Sequence, residues 1–220
     1  MNTLCVELIE HIISFCDDKT SIALTCKLFL NIVLNKDKLI VKNLCCLTAK
    51  YNQLDCLKYF YDQGYPSEEL CSFAAFNGQL NILKLAHELG CVWDSKTCMK
   101  AAIKGNLDCL KYAHEHGCPW DSETCIWAAF AGQIECLKYA HEHGCPWDVK
   151  VCSFAAQYGY LDCLKYAHEH GCPWDSNTLV NAAENNHLEC FMYAYNHKCK
   201  LDCSDKFLID NAGYGHFVFE

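Results

Sequence analysis

The chain has 220 residues, 52% hydrophobic and 20% charged, with a formal net charge of -9. That composition can build a sizeable core and argues against wholesale disorder, while the acidic balance argues against phosphate-backbone binding as the main activity. No stretch reaches the length of apolar sequence that crosses a bilayer, and the opening MNTLCVELIE lacks a basic run. A soluble, cytoplasmic protein is therefore expected, with neither a nucleic-acid nor a membrane partner. In a reducing compartment the 20 cysteines read as thiols packed like small hydrophobes, not as a disulfide framework.

The first forty residues stand apart. Leu4, Leu8, Ile12 and Phe15 keep helical spacing, DDKTS interrupts, and Ile22, Ala23, Cys26, Phe29 and Leu30 resume it. This pattern, with Glu7-Leu8-Ile9, Ile12-Ile13, an acidic turn and the ending LTCKLF, resembles an F-box. The resemblance implies docking onto a Skp-type subunit of a cullin-based ubiquitin ligase. Its contact residues would be Leu4, Leu8, Ile12, Ile13, Leu24 and Phe29. The alternative is a helical cap closing the open end of a repeat stack.

From residue 44 onward the chain repeats itself. Cysteine recurs at Cys71, Cys98, Cys125 and Cys152, at Cys109, Cys136, Cys163 and Cys190, and at Cys91, Cys118, Cys145, Cys172 and Cys199, always in steps of 27. Ala-Ala pairs follow at 74, 101, 128, 155 and 182. A period of this size means a stacked solenoid, here of about five full units and a truncated last one. Each unit reads as two helices. Asp94, Asp121, Asp148 and Asp175 would cap the first, and Gly78, Gly105, Gly132 and Gly159 would end it. The second, ECLKYAHEH in its best copy, stops at Gly90, Gly117, Gly144 or Gly171. Only about four to seven residues join successive units, too few for a developed β-hairpin.

The pattern AAxxGxLxCLKYAxExG resembles the ankyrin repeat, and the shortened GCPWD form is similar to the ankyrin-type repeats encoded by giant DNA viruses of amoebae. The likeness covers about residues 44 to 217, with a unit shorter than the usual ~33 residues. The expected fold class is thus all-α, an ankyrin-like solenoid over 44–220 behind the F-box-like segment at 1–40.

Cysteine and histidine invite a zinc reading with Cys109, His114, His116 and Cys118 as ligands. Copying of the whole set with the framework, and the absence of any C-x-x-C, favour packing instead. Expected are no catalytic residues, no metal and no cofactor. Trp93, Trp120, Trp147 and Trp174 recur in the turns and suggest a stacked ladder, each indole with a polar partner.

The units differ mainly on one face of the first helix. The changing residues are Phe73, Phe76 and Asn77; then Lys100, Ile103 and Lys104; then Trp127, Phe130 and Ala131; then Phe154, Gln157 and Tyr158; finally Asn181, Glu184 and Asn185. Aromatics on a solvent-facing row mark a protein-binding surface. The ankyrin resemblance implies the same, since that helix lines the concave binding face. Together these readings predict a non-enzymatic adaptor: the row binds a protein target, a host protein if the chain is viral, and the N-terminal segment binds the Skp-type subunit. The competing expectation is a plain scaffold or masking protein with no ubiquitin role.

Overall fold

The computed structural model describes residues 54–62, 69–201, 209–210 and 213. The F-box-like segment, with Leu4, Leu8, Ile12, Ile13, Leu24 and Phe29, lies outside the described residues, as does most of the truncated last unit. The helices are α1 (Leu54–Asp62), α2 (Leu70–Phe76), α3 (Leu80–Glu88), α4 (Ser95–Lys104), α5 (Leu107–Glu115), α6 (Ser122–Phe130), α7 (Ile134–Glu142), α8 (Val149–Gln157), α9 (Leu161–Glu169), α10 (Ser176–Glu184) and α11 (Leu188–Asn196). No strand occurs among the described residues, so the turns between units carry no hairpin there.

Local chemistry sets these boundaries. Asp94, Asp121, Asp148 and Asp175 sit in extended backbone ahead of α4, α6, α8 and α10. Each accepts a hydrogen bond from the amide two residues on, at 3.1, 3.1, 2.9 and 3.1 Å. A cap of this kind contributes about 1 kcal/mol. Helix α2 has Glu69 at this place and no side-chain cap. At the far end the chain turns left-handed at glycine. The amides of Asn106, Gln133 and Tyr160, one residue beyond it, donate back to the carbonyls of Ala101, Ala128 and Ala155.

Five first helices, α2, α4, α6, α8 and α10, form one row, and the second helices form another behind it. The first row packs more closely, because the Ala-Ala pair and the cysteine before it present almost no side chain. Behind it, Leu83, Leu110, Leu137, Leu164 and Phe191 occupy equivalent, fully buried places in the second helices. Thr97, Thr124 and Thr178 are buried with hydroxyls that meet no partner among the described residues. Val151 fills the same place in the fourth unit, so the pocket accepts the threonine as an isostere of valine.

The glycines ending the first helices are needed twice over. Gly132 has φ +69°, and a Cβ there would run into the Tyr160 ring of the next unit. Gly144, ending a second helix, has φ +82° with open space around it. Gly144→Ala should therefore cost only the backbone strain, about 1–2 kcal/mol, whereas Gly132→Ala should cost measurably more. Urea melts of the two variants check this, and Gly132→Ala matching Gly144→Ala would refute it. Asn186 and Lys198 hold φ +60° and +59° at the corresponding places of the last described unit, so the strain alone is tolerable.

Candidate functional site: the first-helix row

The repeated cysteines and histidines are placed as framework. Cys98, Cys125 and Cys152 are fully buried. Each thiol is held well above its usual pKa, first by its hydrogen bond to Cys118, Cys145 or Cys172 of the same unit and then by burial. Burial also pushes Cys109 up to about 11, and Cys136 and Cys163 up to about 12. A thiol without thiolate at neutral pH is a poor nucleophile and a poor ligand. The turn cysteines instead tie each turn to the one before it: Cys118, Cys145, Cys172 and Cys199 donate to the carbonyls of Asp94, Asp121, Asp148 and Asp175 at 3.1–3.3 Å. Among the described residues no three His, Cys, Asp or Glu converge on one point to hold a metal ion. Of the four residues in the zinc reading, Cys109 is buried, while His114, His116 and Cys118 pair with the Tyr139 hydroxyl, the Tyr112 carbonyl and the Asp94 carbonyl.

The tryptophan ladder takes a different form from the expected one. The indoles do not stack on each other. Trp93, Trp120, Trp147 and Trp174 each lie flat on His87, His114, His141 and His168, with ring centroids 4.1, 3.9, 3.8 and 3.9 Å apart. The polar group each indole meets is thus an imidazole face. The same four histidines reach into the next unit, pairing Nδ1 with the hydroxyls of Tyr112, Tyr139, Tyr166 and Tyr193 at 2.9–3.1 Å. The 27-residue period does not disclose this contact: any two copied positions keep a constant separation, here 25 residues, whether or not they touch.

This second ladder carries a pH dependence. His114, His141 and His168 have pKa values below the ordinary imidazole value. Burial is the main cause; the next-unit His143, His170 and His197 add to it, and Glu115, Glu142 and Glu169 oppose it. The unfolded chain therefore binds protons that the folded chain refuses. Stability from these groups is full above the unfolded value of about 6.5 and falls as pH drops from there to the folded pKa values. The melting temperature should decline between about pH 7 and 5, and replacing all three with glutamine should flatten that decline. An unchanged slope would show that the ladder does not carry the dependence.

The variable row belongs to the first helices, whereas the ladder's histidines belong to the second. Phe76 and Tyr158 are exposed; Trp127 and Phe130 are half-buried and stand clear of the core. Phe73 and Phe154 are also half-buried but pack against the core. Four aromatics from α6 and from α8 with its following turn form one patch. Phe130 lies 4.9 Å from Trp127, 6.0 Å from Phe154 and 4.5 Å from Tyr158, all edge-to-face. The Trp127 indole donates to Glu123 at 2.6 Å, which fixes its rotamer before any partner arrives. On the α2 side, Lys104 Nζ sits 4.6 Å from the centre of the Phe76 ring, and Lys100 Nζ donates to Ser72 at 3.5 Å. Ile103 and Gln157 are half-buried on the same row. On α10, Asn181 donates to the Ser153 carbonyl at 3.4 Å and Glu184 is exposed. The row thus offers shape, aromatic area and charge.

No protein-family model and no curated protein matches this chain. Among solved structures, the human ASB11 ankyrin repeat domain is similar, with a TM-score of 0.61 at 18% identity, over 76% of this chain and 95% of that one. The pentatricopeptide repeat protein PPR10, solved with an 18-nucleotide psaJ RNA element, matches at a TM-score of 0.43 and 13% identity, over 97% of this chain and 37% of that one. The ASB11 likeness concerns the course of the backbone and agrees with the helix pairs described above. The chain has the ankyrin-repeat fold, with short, strand-free turns among its described residues.

Proposed function

We propose that this protein is a non-catalytic protein-binding adaptor whose target lies across the first-helix row. The observation that carries the reading is the Trp127, Phe130, Phe154 and Tyr158 cluster. It is contiguous over two units, drawn from positions that change between units, and preorganised by Glu123. Aromatic groups of this kind supply interface anchors at low conformational cost. The ankyrin-repeat fold, as a stack with a long continuous face, suits the same task.

The fuller reading adds the F-box-like residues 1–40. They dock on a Skp-type subunit, and the adaptor presents its target, a host protein if the chain is viral, to a cullin-based ubiquitin ligase in the cytoplasm. Its support is the spacing of Leu4, Leu8, Ile12, Ile13, Leu24 and Phe29. A second reading keeps the scaffold without ubiquitin, with the N-terminal helices acting only as a cap on the solenoid. Mixing the full chain with a purified Skp-type subunit separates the two. The adaptor reading expects a stoichiometric complex that Leu8→Asp abolishes; an intact chain that forms no complex leaves the plain scaffold.

A further inference from the structure

Charge is distributed unevenly along the row. Helix α4, SKTCMKAAIK, carries Lys96, Lys100 and Lys104 at successive four-residue steps and no acidic residue. In a chain of net charge -9 this is a local reversal. Like charges four apart on a helix cost a few tenths of a kcal/mol each, and among the described residues none of the three meets a carboxylate at ion-pair distance. Lys100 and Lys104 rest instead on a hydroxyl and a ring face of α2, Ser72 and Phe76. At the opposite end, α10 has no lysine and exposes Glu184.

Resting on the adaptor reading above, we infer that the row receives an unpaired linear protein segment that carries an acidic residue against α4, an aromatic or branched apolar anchor against α6 and α8, and a basic residue against α10. Neighbouring helices in such a stack lie about 8–10 Å apart, and an extended chain advances about 3.3 Å per residue. From the middle of the α6–α8 pair, α4 and α10 are each about one and a half helix spacings away, so the acidic and basic residues each stand about four residues from the anchor, on opposite sides. Lysines beside aromatics also suit single-stranded nucleic acid. Past α4 the exposed charges alternate in sign, with Glu123 on α6, Lys150 on α8 and Glu184 on α10, which disfavours a phosphate backbone continuing along the row.

The test is a random dodecapeptide display library panned against the full chain. Synthetic copies of the winners are then measured against three forms: the wild-type chain, Lys100→Glu with Lys104→Glu, and Trp127→Ala with Phe130→Ala. The expected winners pair an acidic residue with an aromatic at the stated spacing. They lose about tenfold or more in affinity on the lysine variant, and a lysine in place of the peptide's acid restores binding to it. Circular dichroism melts show that both variants remain folded. Winners without an acidic residue, or indifferent to Lys100 and Lys104, overturn the charge inference. If those winners still depend on Trp127 and Phe130, the adaptor reading survives; if they depend on neither pair, it falls as well. Tighter binding of a single-stranded oligothymidine than of any winner overturns the inference in favour of nucleic acid.

Discussion

Leu137→Ala is expected to lower folding stability by about 2–5 kcal/mol. Leu137 is fully buried on α7, at the middle of the stack, and its equivalents Leu83, Leu110, Leu164 and Phe191 are fully buried too. The close-packed Ala-Ala surfaces in front of it cannot relax into the vacancy, so the cavity penalty adds to the lost transfer energy. A solenoid holds together through contacts between neighbouring units. Weakening its centre should therefore do more than shift a midpoint: the two halves should begin to unfold separately, giving a broadened or split urea transition. A loss under about 1 kcal/mol with a single sharp transition would show that the second-helix leucines do not form a continuous core.

The second large effect falls on binding and not on stability. Trp127→Ala with Tyr158→Ala should leave the helical signal of the chain intact and weaken capture of a row-binding peptide by at least ~2 kcal/mol, about thirtyfold. Both side chains pack edge-on against Phe130, and neither belongs to the core. Phe154→Ala is the contrasting control, because that ring rests on the core and its loss should also lower stability. The measurements are far-UV circular dichroism and fluorescence polarisation on the same preparations. Unfolding of the double variant would mean that a packing cluster had been mistaken for a docking surface.

Much of the fold was legible because its determinants are local. An aspartate before a helix and a glycine after it act within a few residues, so a repeat of 27 was enough to place both. The burial of Cys98, Cys125 and Cys152 followed from their constancy beside the alanines. The Trp–His stacks and His–Tyr pairs were not legible. Periodicity says which residues are equivalent but leaves open which row of one unit lies beside which row of the next. The same limit applies to the variable row. Its membership could be read from the differences between units, yet nothing in the spacing says that Phe73 and Phe154 lean on the core while Trp127 and Phe130 stand clear. The lysine stripe of α4 was partly visible, in Lys100 and Lys104; Lys96 joined it only once the helix boundaries were known.

On the adaptor proposal, the copied residues build the stack and the mismatched residues of the first helices make the contact. The most direct test of this division replaces Phe130, or alternatively the exposed turn residue Val92, with the photo-crosslinker p-benzoylphenylalanine and irradiates each chain with a display-selected peptide. A covalent adduct from position 130 and none from position 92 is the predicted result. An adduct from 92 with none from 130 would contradict it.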